Sequence, residues 1–154
     1  MTKVFLLAKC KDLAKETEVF PVENFATEEL ASLMVDAYGG TVDWEEGDDE
    51  TVALVEIRET MSGKYGSFEA KASGVIVDSL GNPVSALLVS IFEGRPTIIF
   101  LFTRKDHLKQ GFATSLIRNS AHVLQENGHS EFALYVSSQN PARVLYESLG
   151  FTPA

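Results

Sequence analysis

The sequence predicts an α+β fold, organised as one domain over residues 1–154 and built on a mixed sheet with flanking helices. Two observations carry this prediction. From Phe68 to Thr103, β-rich runs alternate with short turn clusters, which is typical of an antiparallel meander. From Thr97 to Val136, a strand, a helix and a strand follow one another, which is typical of a βαβ unit with parallel strands. The 154 residues are about what one hydrophobic core serves.

Two helices are predicted in the N-terminal part of the chain. The first spans 28–38, where Thr27 is a suitable N-cap and acidic residues occupy the first turn. Its apolar residues recur on one stripe, and they are Leu30, Leu33, Met34, Ala37 and Tyr38. The second helix spans 49–62 and ends at Gly63.

Three strands form the predicted meander. The first run begins at Phe68 and continues to Asp78, and the other two span Val84–Phe92 and Thr97–Thr103. The segments between them, 79–83 and 93–96, contain the Gly and Pro residues of short turns.

The last third of the chain alternates between helix and strand. A helix is predicted over 111–126 and a strand over 131–136. Asn140-Pro141 then opens a short helix, because Asn is a good N-cap and Pro suits the first helical position.

Composition excludes several classes of protein. Apolar residues make up 45% and charged residues 23% of the chain, which is ordinary for a globular protein. No apolar stretch approaches the ~18 residues of a membrane span, and residues 1–10 lack the pattern of a signal peptide. Cys10 is the only cysteine, so no disulfide and no cysteine metal cluster is expected. We therefore expect a soluble cytoplasmic protein with no metal site and no membrane partner.

The net charge of −9 is unevenly spread. Residues 1–94 hold seven basic and 18 acidic side chains, whereas residues 95–154 hold six basic and four acidic ones. A negative field repels phosphate, which disfavours a nucleic-acid partner. The densest acidic segment, 43–50, is either a solvated loop leading into a helix or an attractor for a cationic substrate.

The junction from Phe100 to Thr114 is the most informative for chemistry. A strand ends at Thr103, a loop with three basic side chains follows, and Gly111 opens a helix. The free N–H groups of a helix N-terminus and the helix dipole favour an anion. The same arrangement also occurs as plain structure at many strand–loop–helix junctions. It matches neither the Walker pattern nor the dinucleotide fingerprint.

Two motifs resemble one family. Leu108-Lys109-Gln110-Gly111-Phe112-Ala113 is similar to the Arg/Gln-x-x-Gly-x-Gly/Ala motif of the GCN5-related N-acetyltransferase (GNAT) superfamily. The segment from Asn140 to Phe151 resembles that family's Asn-x-x-Ala-x-x-x-Tyr-x-x-x-Gly-Phe pattern. The resemblance implies a mostly antiparallel sheet with a splayed parallel strand pair, acetyl-CoA as cosubstrate, and transfer of its acetyl group to a primary amine in a direct ternary complex.

The resemblance also assigns roles to residues. It implies that the pyrophosphate of acetyl-CoA is bound by the segment Leu108, Lys109, Gln110, Gly111, Phe112 and Ala113, with Thr114 just inside the helix. The strand that pairs with the pantetheine arm would be Leu101, Phe102 and Thr103. Leu108 stands where the family usually has Arg or Gln, so support from a side chain would come from Lys109 or Gln110, or be absent.

Tyr146 stands where the family keeps its tyrosine general acid, which protonates the leaving thiolate. It also lies on a helical apolar stripe, so a core position is the alternative. Asn140 is either a cofactor contact or only an N-cap. A backbone N–H near Phe102 or Thr103 is the candidate donor to the developing oxyanion.

No general base is nominated. Several residues are plausible by position, namely Glu93, Asp106, His107, Tyr135 and Ser137.

The acceptor is expected on the first two helices and the loop between them. Tyr38, Trp44 and the acidic segment 43–50 predict a basic amine or a lysine-bearing partner. The family usually has a further strand after Gly-Phe, and here only Thr152-Pro153-Ala154 follow Phe151. We therefore expect the apolar run Val4–Ala8 or a partner chain to cover the exposed sheet edge, and we predict a homodimer. The alternatives to an enzyme are a non-catalytic acyl-CoA-binding or regulatory module of the same fold, and an acidic protein-interaction domain.

Overall fold

The computed structural model describes residues 3–10, 18–39 and 49–153. Its helices are α1 (Thr27–Tyr38), α2 (Glu50–Met61), α3 (Phe112–Glu126) and α4 (Ala142–Ser148). Its strands are β1 (Lys3–Lys9), β2 (Ser67–Phe68), β3 (Gly74–Val77), β4 (Pro83–Phe92), β5 (Arg95–Thr103), β6 (Glu131–Ser137) and β7 (Thr152–Pro153). None of the described helices is both long and apolar enough to cross a lipid bilayer.

The strands of the described residues form one mixed sheet in the order β2–β4–β5–β6–β1–β7, with β3 also paired to β4. The predicted meander is β3, β4 and β5, and both of its strand pairs are antiparallel. The predicted βαβ unit is β5, α3 and β6, and its two strands are parallel. The α+β fold with a mixed, mostly antiparallel sheet is therefore confirmed.

The N-terminal strand lies beside a strand that is far from it in sequence. β1 is antiparallel to β6 along its whole length, from Lys3↔Ser137 to Lys9↔Glu131. Its other edge is paired with β7 at Leu6 and Leu7. The sequence leaves open whether the apolar run Val4–Ala8 or a partner chain covers a sheet edge. In the structure this run is part of β1, and it covers the edge of β6.

The first strand of the meander is interrupted, so the prediction of one run from Phe68 to Asp78 is wrong. Residues 69–73 form a turn in which the N–H groups of Ala72 and Ser73 donate to the Glu69 carbonyl. The Ser73 hydroxyl oxygen accepts the Val89 N–H at 2.9 Å. Because this side chain replaces a backbone partner of β4, β2 and β3 stay on the same edge of that strand.

The predicted N-cap of the first helix is also wrong. α1 begins at Thr27, and Ala26 occupies the N-cap position. The Ala26 N–H donates to Glu29 Oε1 at 3.1 Å, so a first-turn carboxylate satisfies the entering backbone, as in half of a capping box.

Two apolar layers lie on the two faces of the sheet. The layer under α3 and α4 contains, among others, Leu6, Leu116, Phe132 and Phe151. The layer under α1 and α2 contains, among others, Leu30, Met34, Ile57 and Leu88. Each of these side chains is almost completely buried and contributes about 1.5–3 kcal/mol of transfer free energy. The sheet is thus held from both sides around the site described next.

Candidate active site

The two parallel strands separate after a short contact. β5 and β6 pair only at Thr97↔Ala133 and Ile98↔Leu134, although β5 continues to Thr103 and β6 to Ser137. The predicted splayed pair is therefore present. Beyond Ile98 a gap opens between the two strands, and backbone groups on its β5 side have no strand partner across the sheet.

A β-bulge lies at the point where β5 leaves β6. Leu88 of β4 pairs with Phe100, whereas Val89 pairs with Ile98, so Ile99 is an extra residue on β5. A bulge bends its strand and increases the local twist. Here it turns the last part of β5 away from β6 and creates the gap.

Backbone alternation decides which groups of β5 face the gap. The Arg104 N–H donates to the Val84 carbonyl of β4 at 2.9 Å. Because successive residues of a strand point their backbone groups to opposite edges, Phe102 also faces β4, whereas Leu101 and Thr103 face the gap. Phe102 and Thr103 are the two residues predicted to supply the oxyanion donor, and only Thr103 directs its N–H into the gap. The Leu101 N–H faces the gap as well.

Tyr38 reaches this edge from the end of α1. Its hydroxyl donates to the Leu101 carbonyl at 2.9 Å, and its ring centroid lies 5.9 Å from that of Phe102. The sequence pattern connects Tyr38 only with the acceptor. The two bonded residues are 63 positions apart, so no local pattern reveals this contact.

The loop between β5 and α3 is held by charged groups. Asp106 binds Arg104 at 2.9 Å and His107 Nδ1 at 2.7 Å, and these bonds lower the pKa of the Asp106 carboxyl, His107 contributing more than Arg104. The Lys105 N–H donates to Asp36 of α1 at 2.9 Å, and the Lys105 ammonium donates to the Gly39 carbonyl. The loop is therefore bonded to the C-terminal end of α1.

The N-terminus of α3 is open to a ligand. Gly111 is at the N-cap with φ +85°, it has no side chain with which to accept the first N–H groups, and no acidic residue lies in the first turn. A Cβ at Gly111 would meet nothing within 4 Å. Lys109 also has a positive φ, of 61°, which is strained for a side-chain-bearing residue. This backbone leaves free N–H groups of the first turn beside unfilled space.

The segment predicted to hold pyrophosphate lies on this N-terminus. Leu108, Lys109, Gln110 and Gly111 are exposed, and Phe112, Ala113 and Thr114 are half-buried. The Leu108 side chain is 55% exposed, so this apolar residue covers no core. The Phe112 ring stacks on His107 with centroids 6.2 Å apart, which joins the loop to the first turn of α3.

Tyr146 and Asn140 lie in and before α4. The Tyr146 side chain is 9% exposed and packs edge-on against Phe151 at 6.3 Å between centroids, so it belongs to the apolar layer under α3 and α4. Asn140 Oδ1 accepts the Ala142 N–H at 2.9 Å and caps the first turn of α4. Tyr146 is thus packed in the apolar layer, and Asn140 is bonded to the first turn of α4.

The acidic segment lies mostly outside the described residues, and so does Trp44. Its end is described, and there Asp49 is the N-cap of α2. One Asp49 carboxylate oxygen accepts the N–H groups of Thr51 at 2.9 Å and Val52 at 3.2 Å. Within residues 3–10, 18–39 and 49–153, no three His, Cys, Asp or Glu side chains gather as metal ligands.

Comparison by sequence reaches the C-terminal part of the chain. The family model described as FR47-like protein matches residues 82–154, which include every residue predicted for cofactor binding as well as Tyr146. No curated protein matches the chain.

Comparison of structures covers nearly all of the chain. A GCN5-related N-acetyltransferase from Sphaerobacter thermophilus superposes with a TM-score of 0.70 at 16% identity, over 99% of this chain and 48% of that one. The chain has the GNAT fold. The fold that the sequence motifs imply is thereby confirmed, and the chain spans about half the length of the Sphaerobacter protein.

Two further proteins share this GNAT fold. An aminoglycoside antibiotic 6'-N-acetyltransferase from Acinetobacter haemolyticus has a TM-score of 0.65 at 17% identity, with 90% of this chain and 92% of that chain covered. The ribosomal-protein-S18-alanine N-acetyltransferase from Escherichia coli has a TM-score of 0.65 at 18% identity, with 89% and 78% covered. At these identities the likeness establishes the GNAT fold of the chain.

Proposed function

We propose that the protein is an N-acetyltransferase that transfers an acetyl group from acetyl-CoA to a primary amine in a direct ternary complex. The observation that carries this proposal is the backbone arrangement of β5 and the N-terminus of α3. The gap between β5 and β6 exposes the edge at Leu101 and Thr103, and the uncapped N-terminus of α3 follows in the same chain segment. An extended amide-bearing ligand with a phosphate end fits such a strand edge and such a helix end.

The residues present fit acetyl-CoA. The first-turn N–H groups of α3 would hold the pyrophosphate, and the open space above Gly111 lets a phosphate approach them. Lys109 and Gln110 are exposed beside this space and would add donors that Leu108 cannot supply. When bound, acetyl-CoA supplies a thioester with a good leaving group. The β5 edge at Leu101 and Thr103 would hold its pantetheine arm.

The chain's own groups would then serve acyl transfer to an amine. The N–H of Leu101 or Thr103 would donate to the oxygen on which negative charge develops, because both face the gap. Tyr146 would deliver a proton to the leaving sulfur, which resembles a cysteine thiol with a pKa of about 8.5. Asn140 would contact the cosubstrate in addition to capping α4.

The acceptor would enter on the side of α1 and α2. We propose a small amine or a lysine-bearing partner, attracted by the acidic N-terminal part of the chain, with no nucleic-acid and no membrane partner. A cytoplasmic location belongs to the same proposal.

A non-catalytic module that binds acyl-CoA is the second candidate. Leu108 in place of Arg or Gln and the lack of a nominated general base leave this candidate open.

Two measurements with the purified chain separate the possibilities. Coenzyme A should raise the melting temperature, since a ligand at 100 times its dissociation constant adds about 2.7 kcal/mol to the free energy of unfolding. Free thiol should then appear from acetyl-CoA only when an amine is present. A thermal shift without thiol release across a panel of amines would favour the non-catalytic module. No thermal shift would contradict both candidates and favour an acidic interaction domain.

A further inference from the structure

The Tyr38 hydroxyl stands at the gap between β5 and β6. It donates to the Leu101 carbonyl at 2.9 Å. The backbone groups of Leu101 face the gap, because Arg104 bonds to β4 and successive strand residues alternate between the two edges. A direct bond therefore places this hydroxyl at the same residue whose N–H is a proposed donor to the developing oxyanion.

The hydroxyl reaches the gap from the face of the sheet that carries α1 and α2. The Tyr38 ring lies 5.9 Å from that of Phe102 between centroids, and both side chains belong to the apolar layer under α1 and α2. On the other face, the Leu101 side chain packs against the layer under α3 and α4. An acceptor that enters on the side of α1 and α2 therefore meets Tyr38 at the gap.

The bond to Leu101 determines what the hydroxyl can do for a substrate. A tyrosine hydroxyl has a single hydrogen, and its oxygen can also accept hydrogen bonds. Since the hydrogen is donated to the Leu101 carbonyl, the oxygen can serve a substrate only as an acceptor. An amine, which has N–H donors, fits this oxygen, whereas an oxyanion needs a donor and does not.

The backbone that carries Tyr38 is held in place on both sides. The Lys105 N–H donates to Asp36 Oδ2 at 2.9 Å, and the Lys105 ammonium donates to the Gly39 carbonyl. Tyr38 is thus fixed through its ring, its hydroxyl and the residues that flank it. A polar group held in this way can orient a bound amine at a small cost in entropy.

Tyr65 is a similar side chain whose hydroxyl has a different partner. Its ring lies 6.5 Å from that of Phe100 between centroids, and Phe100 contributes to the same apolar layer as Phe102. Both tyrosines are half-buried. The Tyr65 hydroxyl donates to Glu56 Oε2 of α2 at 3.4 Å, whereas that of Tyr38 donates to the gap edge. Tyr65 therefore provides a matched control.

We propose that Tyr38 is a catalytic residue whose hydroxyl oxygen accepts an N–H of the acceptor amine and turns the nitrogen lone pair toward the thioester carbon. This inference rests on the proposed acetyltransferase function. The nitrogen forms the C–N bond and the C–S bond breaks. The sulfur takes the proton of the Tyr146 hydroxyl, and the proton that the nitrogen loses passes to water. Tyr38 keeps its own proton, which stays bonded to the Leu101 carbonyl.

The hydrogen bond from the amine to Tyr38 strengthens during the reaction. The attacking nitrogen gains positive charge as the C–N bond forms, and a hydrogen bond from a charged donor is about twice as strong as a neutral one. An interaction that is stronger in the transition state than in the ground state raises kcat. The contribution of Tyr38 therefore falls mainly on kcat.

Thiol release from acetyl-CoA with butylamine as acceptor tests the proposal. Tyr38→Phe keeps the ring beside Phe102 and removes the hydroxyl. It should lower kcat about ten- to 100-fold, as expected for loss of a hydrogen bond to a charged group. The KM for butylamine and the affinity for coenzyme A in calorimetry should change little. Tyr65→Phe should leave all three values unchanged.

Three results would overturn the proposal. A kcat of Tyr38→Phe equal to that of the wild type would leave the hydroxyl as a bond between α1 and β5 alone. A kcat loss of the same size in Tyr65→Phe would show that the effect is not specific to the gap. A change in coenzyme A affinity as large as the change in kcat would show that the hydroxyl acts on the cosubstrate and not on the amine.

Failure of the proposed function would be seen separately. If the wild type releases no thiol with any amine, the acetyltransferase proposal fails, and Tyr38 is judged by calorimetric binding of butylamine in the presence of coenzyme A. Binding that Tyr38→Phe weakens and Tyr65→Phe does not would support an amine site at Tyr38. No binding to the wild type, or equal binding to all three chains, would overturn it.

Discussion

At the scale of single residues, Gly111 combines a conformation and an open space. Its φ of +85° is unfavourable for any residue with a Cβ, so Gly111→Ala should lower the free energy of unfolding by about 1–2 kcal/mol. The new methyl group would also stand in the space proposed for a phosphate. Coenzyme A should therefore bind this variant several-fold more weakly, as measured by calorimetry.

Gly128 offers a matched control for that experiment. It has φ +89°, and a Cβ there would likewise meet nothing within 4 Å, but it lies after the far end of α3. Gly128→Ala should cost the same stability in urea titrations and leave coenzyme A binding unchanged. An equal loss of coenzyme A affinity in both variants would contradict the role of Gly111.

A variant of Tyr146 distinguishes a proton-donating role from a purely structural one. Tyr146→Phe keeps the ring packed against Phe151 and removes only the hydroxyl, so folding should persist. If the hydroxyl protonates the leaving group, turnover should fall about 100-fold, while coenzyme A binding changes little. Steady-state kinetics at saturating acetyl-CoA provide the measurement. Turnover equal to that of the wild type would leave Tyr146 as a core residue alone.

The residues of the candidate site differ in how far sequence could reveal them. Gly111 and the basic loop before it are adjacent in sequence, so one motif predicts both. Tyr38 meets Leu101, and Asp36 meets Lys105, only through the fold, because each of these bonds joins residues more than 60 positions apart.

At the scale of elements, one residue of the acidic segment, Asp49, has a structural role as the N-cap of α2. Its carboxylate caps α2, so Asp49→Ala should lower the free energy of unfolding by about 1 kcal/mol, and Asp49→Ser should restore most of it because Ser also caps. Urea titration measures both. If Asp49→Ser is as unstable as Asp49→Ala, the negative charge and not the cap is what matters.

The cap also changes how the acidic segment is tested. Reversing Asp48, Asp49 and Glu50 together would remove the α2 cap along with the charge. Charge reversal at Asp48 and Glu50 with Asp49 kept is the cleaner variant. An unchanged KM for a cationic amine would then count against attraction of the acceptor by this segment.

The loop between β5 and α3 should respond to acid. The pKa of Asp106 is held below the ordinary value of 3.8 by His107 and Arg104, so its ionised form stabilises the fold at neutral pH. This contribution is present above the ordinary value and is lost as the pH falls through the lowered pKa. Asp106→Asn should thus melt below the wild type at neutral pH, and the difference should vanish in strong acid.

Glu23→Gln is the control for this pH series. Glu23 is exposed and makes no ion pair with the part of the chain that the structure describes. Melting temperatures measured by circular dichroism should show no comparable convergence with pH. A constant difference between Asp106→Asn and the wild type at every pH would contradict an ionic origin.

Element boundaries are predicted well where apolar period and turn residues agree, as in α2, α3, β4 and β5. The break between β2 and β3 is not predicted, because residues Phe68 to Ala72 alternate in polarity as a strand does. In the structure the Ser73 side chain accepts a β4 hydrogen bond that a strand backbone would otherwise accept. The gap between β5 and β6 depends on the β-bulge at Ile99. An isoleucine is equally common in a regular strand, so the residue type does not predict the bulge. The resemblance to a family, not the pattern of residues, predicts the splay.

At the scale of the whole molecule, the edge beyond β1 bears on association. In the described residues β7 covers β1 only at Leu6 and Leu7, and the rest of that edge carries unpaired backbone groups. Such an edge favours pairing with another chain. We expect a homodimer, and light scattering should give twice the mass of the chain; a monomer at micromolar concentration would contradict it.

The position of β1 has a consequence for synthesis. Its seven residues leave the ribosome before the other described strands, yet their neighbour β6 begins 122 residues after β1 ends. At about 5–20 residues per second, the wait is roughly 6–24 seconds. During that time Leu6 and Ala8, which are buried in the folded sheet, have no β6 to pack beside. Among the described strands, the one that is synthesised earliest is thus one of the last that the sheet can accept.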